Sequence, residues 1–202
     1  MLVLTLGAIA FAVFQPVQVL PRIRLGPGYA LIDQDGARLT SEDGRGVITL
    51  VSFASLDCGT TCDDVAETMR EVRERVDADV DLGGTDFRLL TFVLDPSPAP
   101  ERVAAARTAA GADWEWAAGT EAQIENVVGL GFRRSTASID TRPGYAIVDG
   151  WGVIRGEYQY QTLADDADKL VRHIDILGSE LRNDSGFGSF VYGAAHAFQC
   201  YP

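Results

Sequence analysis

The chain has 202 residues, a length that accommodates one domain of about 150 residues with attached segments. Hydrophobic residues make up 47% of the sequence, which is typical of a globular protein and excludes a wholly disordered chain. The formal net charge is -12, and no basic stripe is present to neutralise phosphates, so we expect no nucleic-acid partner.

The first twenty residues carry no charged side chain and are followed by Pro21-Arg22-Ile23-Arg24. About 20 apolar residues can span a bilayer as a helix. We therefore predict that residues 1–24 form a single-pass transmembrane helix with its juxtamembrane segment, with a cleaved signal peptide as the alternative. By the positive-inside rule, Arg22 and Arg24 would place the domain in the cytoplasm, whereas disulfide chemistry favours the extracytoplasmic side.

After residue 26, strand and helix patterns alternate, which predicts an α/β layer. A short strand is predicted over residues 29–33. A buried strand follows over residues 47–54, because this segment is β-branched and almost continuously apolar, as central parallel strands are. Val65, Met69 and Val72 then recur at helical spacing, which predicts an amphipathic helix.

The second half of the chain continues the alternation. Residues 86–95 form the next predicted core strand, which several prolines end. The remaining predicted elements are a helix over residues 101–110, a helix that begins at a capping box at Thr120, a hairpin over residues 143–149 and 153–158, and a last helix over residues 162–177.

Cys58 and Cys62 lie where the strand over residues 47–54 gives way to the next helix. A cysteine at a helix N-terminus gains from the helix dipole and from unsatisfied backbone N–H groups, both of which favour the thiolate. The four-residue spacing lets the sulfurs approach across the first turn, where they can close a disulfide or present two soft thiolates to one Cu(I) ion. A purely structural disulfide is the alternative, although structural bridges usually join distant segments.

Several segments together resemble one family, the SCO/SenC proteins, over about residues 26–177. The segments are residues 29–36, the strand over residues 47–54 with Cys58-x3-Cys62, residues 91–96 and residues 113–119. The resemblance implies a thioredoxin-like α/β fold over residues 25–178, with a central mixed sheet flanked by helices. It also implies a membrane-tethered domain that binds copper and helps to assemble the dinuclear copper centre of cytochrome c oxidase, and some members act as thiol–disulfide reductants for that centre.

The copper site that this resemblance implies is incomplete. The family uses its two cysteines, here Cys58 and Cys62, and a histidine shortly before the penultimate strand. Counting back from Asp149, that histidine position falls at about Thr141, and residues 138–142 contain no histidine. The resemblance therefore supplies two of three copper ligands.

The prolines of the site also differ from the family pattern. The family usually has a proline after each cysteine, where this chain has Gly59 and Asp63. Pro143 instead matches the cis-proline position of thioredoxins and peroxiredoxins, which faces the cysteine pair. This match favours a redox role for Cys58, Cys62 and Pro143.

The C-terminal segment, residues 179–202, becomes apolar from residue 187 to residue 201. We expect it to pack on the domain, on the membrane surface or on another subunit. It contains His196 and Cys200, whose spacing puts the imidazole and the thiol on one face of a helix, as a half-site for a soft metal. Folded back, it would bring His196 or Cys200 to the cysteine pair, whereas His173 falls at the edge of the buried face of the last domain helix.

Three functions stay open at this point. The first is a copper-handling assembly factor at the cell membrane, with its domain on the extracytoplasmic side, and we favour it. The second is a thiol–disulfide oxidoreductase in which Cys58 is the nucleophile and Cys62 the resolving thiol. The third is a non-catalytic accessory subunit of a respiratory or photosynthetic membrane complex.

Overall fold

Strands of two sheets form the centre of the protein in the computed structural model, which describes residues 18–57, 59–134, 136, 144–159, 166–183 and 186–198. The strands are β1 (Arg24–Leu25), β2 (Ala30–Ile32), β3 (Arg38–Thr40), β4 (Val47–Ala54), β5 (Asp86–Val93), β6 (Glu115–Ala117), β7 (Gly144–Val148) and β8 (Val153–Gln159). Six of them form a sheet in the order β1-β8-β7-β4-β5-β6, and β2 pairs with β3 alone.

Strands β4 and β5 are the centre of the larger sheet. They pair in parallel, with Val47 opposite Asp86 and Ala54 opposite Val93. On its other side, β4 pairs antiparallel with β7, so the sheet is mixed, as expected. The predicted limits of β4 are confirmed, and β5 ends two residues earlier than predicted, because Leu94 and Asp95 already belong to the loop.

Helices cover both faces of this sheet. They are α1 (Thr60–Asp79), α2 (Pro100–Ala109), α3 (Glu121–Ile124), α4 (Asp166–Arg182) and α5 (Gly186–Phe198). Helix α3 begins with the predicted capping box of Thr120 and Gln123, and the chain continues with π-type hydrogen bonds over Glu125–Gly131. Helices α1 and α4 share one buried cluster with the sheet, in which Met69 and Ile174 are fully buried.

An aromatic cluster fills the opposite face. Phe92 lies at its centre, with ring centroids 5.2 Å from Tyr29, 6.1 Å from Phe53 and 5.7 Å from Phe132. The two faces arise from the period of two along β4 and β5, because alternate residues of a strand point to opposite sides of a sheet.

The described part of the predicted N-terminal segment contributes to the folded domain. Residues 18–24, predicted as juxtamembrane, pack against it: Leu20 is buried, and Arg24 opens β1, which pairs with β8. Within the described ranges, every helix falls short of the length or the apolar character that a bilayer span requires. The predicted transmembrane helix lies almost entirely in residues 1–17, outside the described residues.

Candidate functional site

The loop between β4 and α1 carries the predicted cysteine site. Its residue Gly59 directly precedes α1 and has φ 54° and ψ -133°, a conformation that favours glycine. A proline ring fixes φ near -65°. The proline that the SCO/SenC proteins usually have at this position therefore could not adopt the conformation that Gly59 has here.

Asp95 holds the first part of this loop. Because β4 and β5 are parallel, their carboxyl ends meet at one edge of the sheet, and Asp95 follows β5 there. Its Oδ2 accepts a hydrogen bond from the Ser55 hydroxyl at 2.9 Å and one from the Leu56 backbone N–H at 2.7 Å. Sequence reasoning used residues 91–96 only as a family feature and missed this role, although an acid just beyond a buried parallel strand is a usable signal.

Cys62 is the third residue of α1 and so belongs to the first turn. The N–H groups of a first helical turn have no partner within the helix, and the N-terminal end of the helix dipole is positive. Gly59, at the N-cap, has no side chain that could occupy these groups. The first turn of α1 therefore favours a negative charge, and Asp63 in the same turn already supplies one.

Three predicted site residues, Cys58, Pro143 and Cys200, lie outside the described residues, as does the segment 138–142. Their roles as redox residues or copper ligands, and the cis peptide bond at Pro143, stay predictions.

His196 lies in α5 and takes part in a buried charge network. Its Nε2 is 3.2 Å from Oε2 of Glu180. Arg155 donates to the same carboxylate at 2.6 Å and to Asp149 at 3.1 Å. The other oxygen of Glu180 accepts from the Leu20 N–H at 2.6 Å. This network joins α5 and the N-terminal segment to the sheet.

The strand register separates His196 from Cys62. The network includes Asp149, which follows β7, and the next residue, Gly150, accepts a hydrogen bond from Gly46 just before β4 begins. Cys62 follows the other end of β4. A strand of 8 residues is roughly 25 Å long at about 3.3 Å per residue. The structure therefore does not bring His196 to Cys62, and His196 is engaged with Glu180 instead.

His173 lies at the boundary of the buried face of α4, as predicted. Its Nδ1 is 2.6 Å from the Tyr158 hydroxyl. Burial, together with the nearby Arg172 and Lys169 charges, lowers the pKa of His173 to about 4. The ring is therefore neutral near pH 7 and shares a hydrogen bond with the Tyr158 hydroxyl.

The donor chemistry decides which metal the cysteine loop suits. Soft thiolates select Cu(I), so the Cys58-x3-Cys62 spacing at a helix start fits two-thiolate binding of that ion. Among the residues that the structure describes, no group of three histidine, cysteine, aspartate or glutamate side chains is close enough to hold a metal.

Comparisons with known proteins bear on the family and the fold of the chain. The sequence model of the SCO1/SenC family matches residues 18–179. No curated protein sequence matches the chain. Among solved structures, the chain is similar to BsSco, described as a member of the Sco family of cytochrome c oxidase assembly proteins with a disulfide switch (TM-score 0.66, 17% identity, 80% of this chain and 99% of that chain).

Two further solved structures are similar to the chain. One is yeast Sco1 with copper bound (TM-score 0.59, 18% identity, 74% of this chain and 92% of that chain). The other is the thioredoxin domain of a thiol-disulfide oxidoreductase from Bacteroides vulgatus (TM-score 0.54, 17% identity, 75% of this chain and 99% of that chain). At these identities the structural likeness shows the fold, which is thioredoxin-like. Since the family model covers most of its length, the chain belongs to the SCO1/SenC family.

Proposed function

We propose that this protein is a membrane-anchored SCO-type factor whose Cys58–Cys62 pair handles copper during assembly of the copper centre of a respiratory oxidase. The observation that carries the proposal is the position of Cys62 in the first turn of α1, directly after the central strand β4. Family membership supports it, as do the oxidase-assembly role stated for BsSco and the copper bound by yeast Sco1.

Copper is the cargo in this proposal. Reduced Cys58 and Cys62 offer two thiolates, and the helix N-terminus favours their charged form. A site with two protein donors leaves coordination positions for the ligands of an acceptor protein, so that the ion can be passed on. The partner that this chemistry suits is an oxidase with vacant copper sites at the same membrane surface.

Competition titration of the reduced full chain with Cu(I) and a chelating probe tests the proposal. We expect the Cys58→Ser/Cys62→Ser double variant to lose tight binding, whereas the Cys200→Ser control retains it. His196→Asn is expected to bind like the parent, because His196 contacts Glu180. Binding by the parent that is no tighter than binding by the double variant contradicts the proposal, and loss of binding in His196→Asn would restore the tail to the copper site.

Thiol–disulfide exchange is a second candidate, favoured by the missing histidine at 138–142 and by the engagement of His196 with Glu180. The Cys58 thiolate would attack a partner disulfide and form a mixed disulfide, which Cys62 would then resolve. The pair loses two electrons and two protons and becomes a disulfide, and the partner leaves as a dithiol. Equilibration with glutathione tests this reaction: a potential below about -300 mV without exchange activity excludes it.

The proposal places the domain on the extracytoplasmic side of the cell membrane, because cysteine pairs cycle through disulfides in oxidising compartments. Purification from native membranes tests the partner. Association with an oxidase supports an assembly role. If the Cys58→Ser/Cys62→Ser variant supports oxidase activity fully while the protein stays bound to the complex, it acts instead as a non-catalytic accessory subunit.

A further inference from the structure

Arg88 occupies an unusual position in the central strand β5. It shares one face of the strand with Leu90 and Phe92, both of which are fully buried in the aromatic cluster. Its neighbour across the sheet is Thr49 of β4. Burying a charged side chain on such an apolar face costs free energy unless an opposite charge lies next to it.

The guanidinium of Arg88 has only neutral hydrogen-bond partners in the described part of the chain. It donates to the Thr49 hydroxyl at 3.1 Å, to the backbone carbonyl of Asp43 at 3.3 Å and to the Tyr29 hydroxyl at 3.4 Å. None of the ion pairs between described residues includes it. The carboxylate of Asp43 accepts hydrogen bonds from Thr40 instead. A half-buried cation therefore lacks a direct carboxylate partner.

A cavity of about 160 Å³ adjoins this cation. Its apolar wall includes Leu90, Phe92 and Phe132, and Arg88 forms part of its polar side. Trp151 also lines it and is 73% exposed, so the cavity is open to solvent there. An engineered apolar cavity of about 150 Å³ accommodates benzene, so this space is sufficient for one aromatic ring.

We propose that this cavity binds a small monocarboxylate with an apolar body about the size of one aromatic ring. The carboxylate lies on the Arg88 guanidinium, which matches it as a two-pronged donor. The apolar body packs on Leu90, Phe92 and Phe132. This binding gives Arg88 a direct carboxylate contact, which it lacks among the described residues although the Asp43 charge acts on it at longer range, and it fills a cavity that the side chains leave open.

Two neighbours complete the site. The Tyr29 hydroxyl accepts from Arg88 and keeps its own proton to donate to the ligand, and burial raises the pKa of Tyr29, which keeps it protonated. Glu42 and Arg45 line the rim and pair with each other at 3.2 Å, so they contribute no net charge there. The site thus selects for an anion through Arg88.

This cavity is independent of the cysteine site. Arg88 and Thr49 lie near the amino ends of β5 and β4, whereas the cysteine loop follows the carboxyl end of β4. The proposal therefore assigns a second binding site that needs neither copper nor a redox reaction.

Fluorine NMR of 4-fluorobenzoate with the full chain tests the proposal, with 4-fluorobenzamide as the neutral analogue. We expect saturable binding of the benzoate and binding of the amide that is about 10- to 100-fold weaker, since the amide has no negative charge and offers Arg88 one acceptor oxygen in place of two. Arg88→Met should weaken benzoate binding to a similar extent. Arg70→Met removes the same charge from an exposed position of α1 and should change nothing.

Val148→Phe is the second variant, because it fills the cavity and leaves Arg88 in place. It should abolish benzoate binding even if Arg88→Met does not fold. The proposal is overturned if the parent shows no saturable binding of benzoate, or if benzoate and benzamide bind equally. Equal binding by the parent and by a folded Val148→Phe variant overturns it as well.

Discussion

Replacing Arg155 by methionine tests the buried charge network most directly. Arg155 is 3% exposed, and its partners Asp149 and Glu180 are 5% and 9% exposed. Arg155 also donates to the backbone carbonyl of Leu20 at 2.8 Å, so it joins the N-terminal segment to the sheet. Arg155→Met removes the guanidinium from both buried carboxylates, and of the side-chain contacts described above only that between Glu180 and His196 remains.

The size of the effect follows from this burial. Removing one partner of a buried ion pair costs about 3–5 kcal/mol, because the other charge stays desolvated. With a urea m-value of about 2 kcal/mol/M, the unfolding midpoint should fall by roughly 1.5–2.5 M. The fluorescence of the buried Trp114 and Trp116 reports the transition, with the cysteines kept reduced.

Two control variants distinguish the loss of a buried ion pair from the loss of an exposed one. Arg75 forms exposed ion pairs with Glu71 and Asp168, and Arg75→Met should shift the midpoint little. Adding Glu180→Gln to Arg155→Met should recover part of the loss, because one of the uncompensated charges is then removed. A midpoint shift below about 0.5 M for Arg155→Met, at an unchanged m-value, would refute the reasoning.

Three further predictions concern single residues. Asp95→Ala should lower the free energy of unfolding by about 1–3 kcal/mol, because two donors of the cysteine loop lose a charged acceptor. Urea unfolding measures this free energy, and an unchanged value would mean that Asp95 does not stabilise the loop. Gly59→Ala should lower the free energy of unfolding by about 1–3 kcal/mol, since alanine rarely adopts φ 54°. Gly193 lies on α5 with open space around it, so Gly193→Ala should be neutral or stabilising. Equal effects of the two substitutions in the same assay would contradict this prediction. The folded protein holds His173 neutral down to about pH 4, while the unfolded chain binds that proton from about pH 6.5. The free energy of unfolding should therefore decline as the pH is lowered from about 6.5 to about 4, and it should decline less in His173→Gln. Parallel pH profiles of the two proteins would contradict this prediction.

The central strands were the most predictable part of the fold. Both β4 and β5 are largely apolar and contain many β-branched or aromatic residues, so composition reveals both strands and the limits of β4, whereas β5 ends two residues before its predicted limit. The capping box at Thr120 was equally readable, because its two hydrogen bonds lie within four residues.

Short elements were missed for the opposite reason. The strands β1, β3 and β6 have two or three residues each, too few to show a period of two. Arg24 was assigned to the juxtamembrane segment, but together with Leu25 it forms a strand that pairs with β8. Such short strands form only because they pair with a strand that is distant in the sequence, and the local sequence does not show that pairing.

In the candidate site, too, local features could be predicted from the sequence and long-range contacts could not. The sequence located Cys62 at a helix start, because strand, loop and helix follow one another along the chain. It could not show that Asp95 holds Ser55, since the two residues are 40 positions apart. The tail was expected to bring His196 towards the cysteines. A partner for His196 on α4 was not predictable, because it depends on how two helices pack.

The register of β4 and β5 determines where the two candidate sites lie on this fold. At the carboxyl ends, where both strands stop, Asp95 can reach the loop that leads into α1. At the amino ends, Arg88 lies beside Thr49 on the face of β5 that also carries Leu90 and Phe92. A shift of one residue in this pairing would exchange the two faces of β5 and turn Arg88 towards Ile48 and Leu50. The same pairing therefore fixes both the cysteine loop and the cavity, although the two sites share no residue.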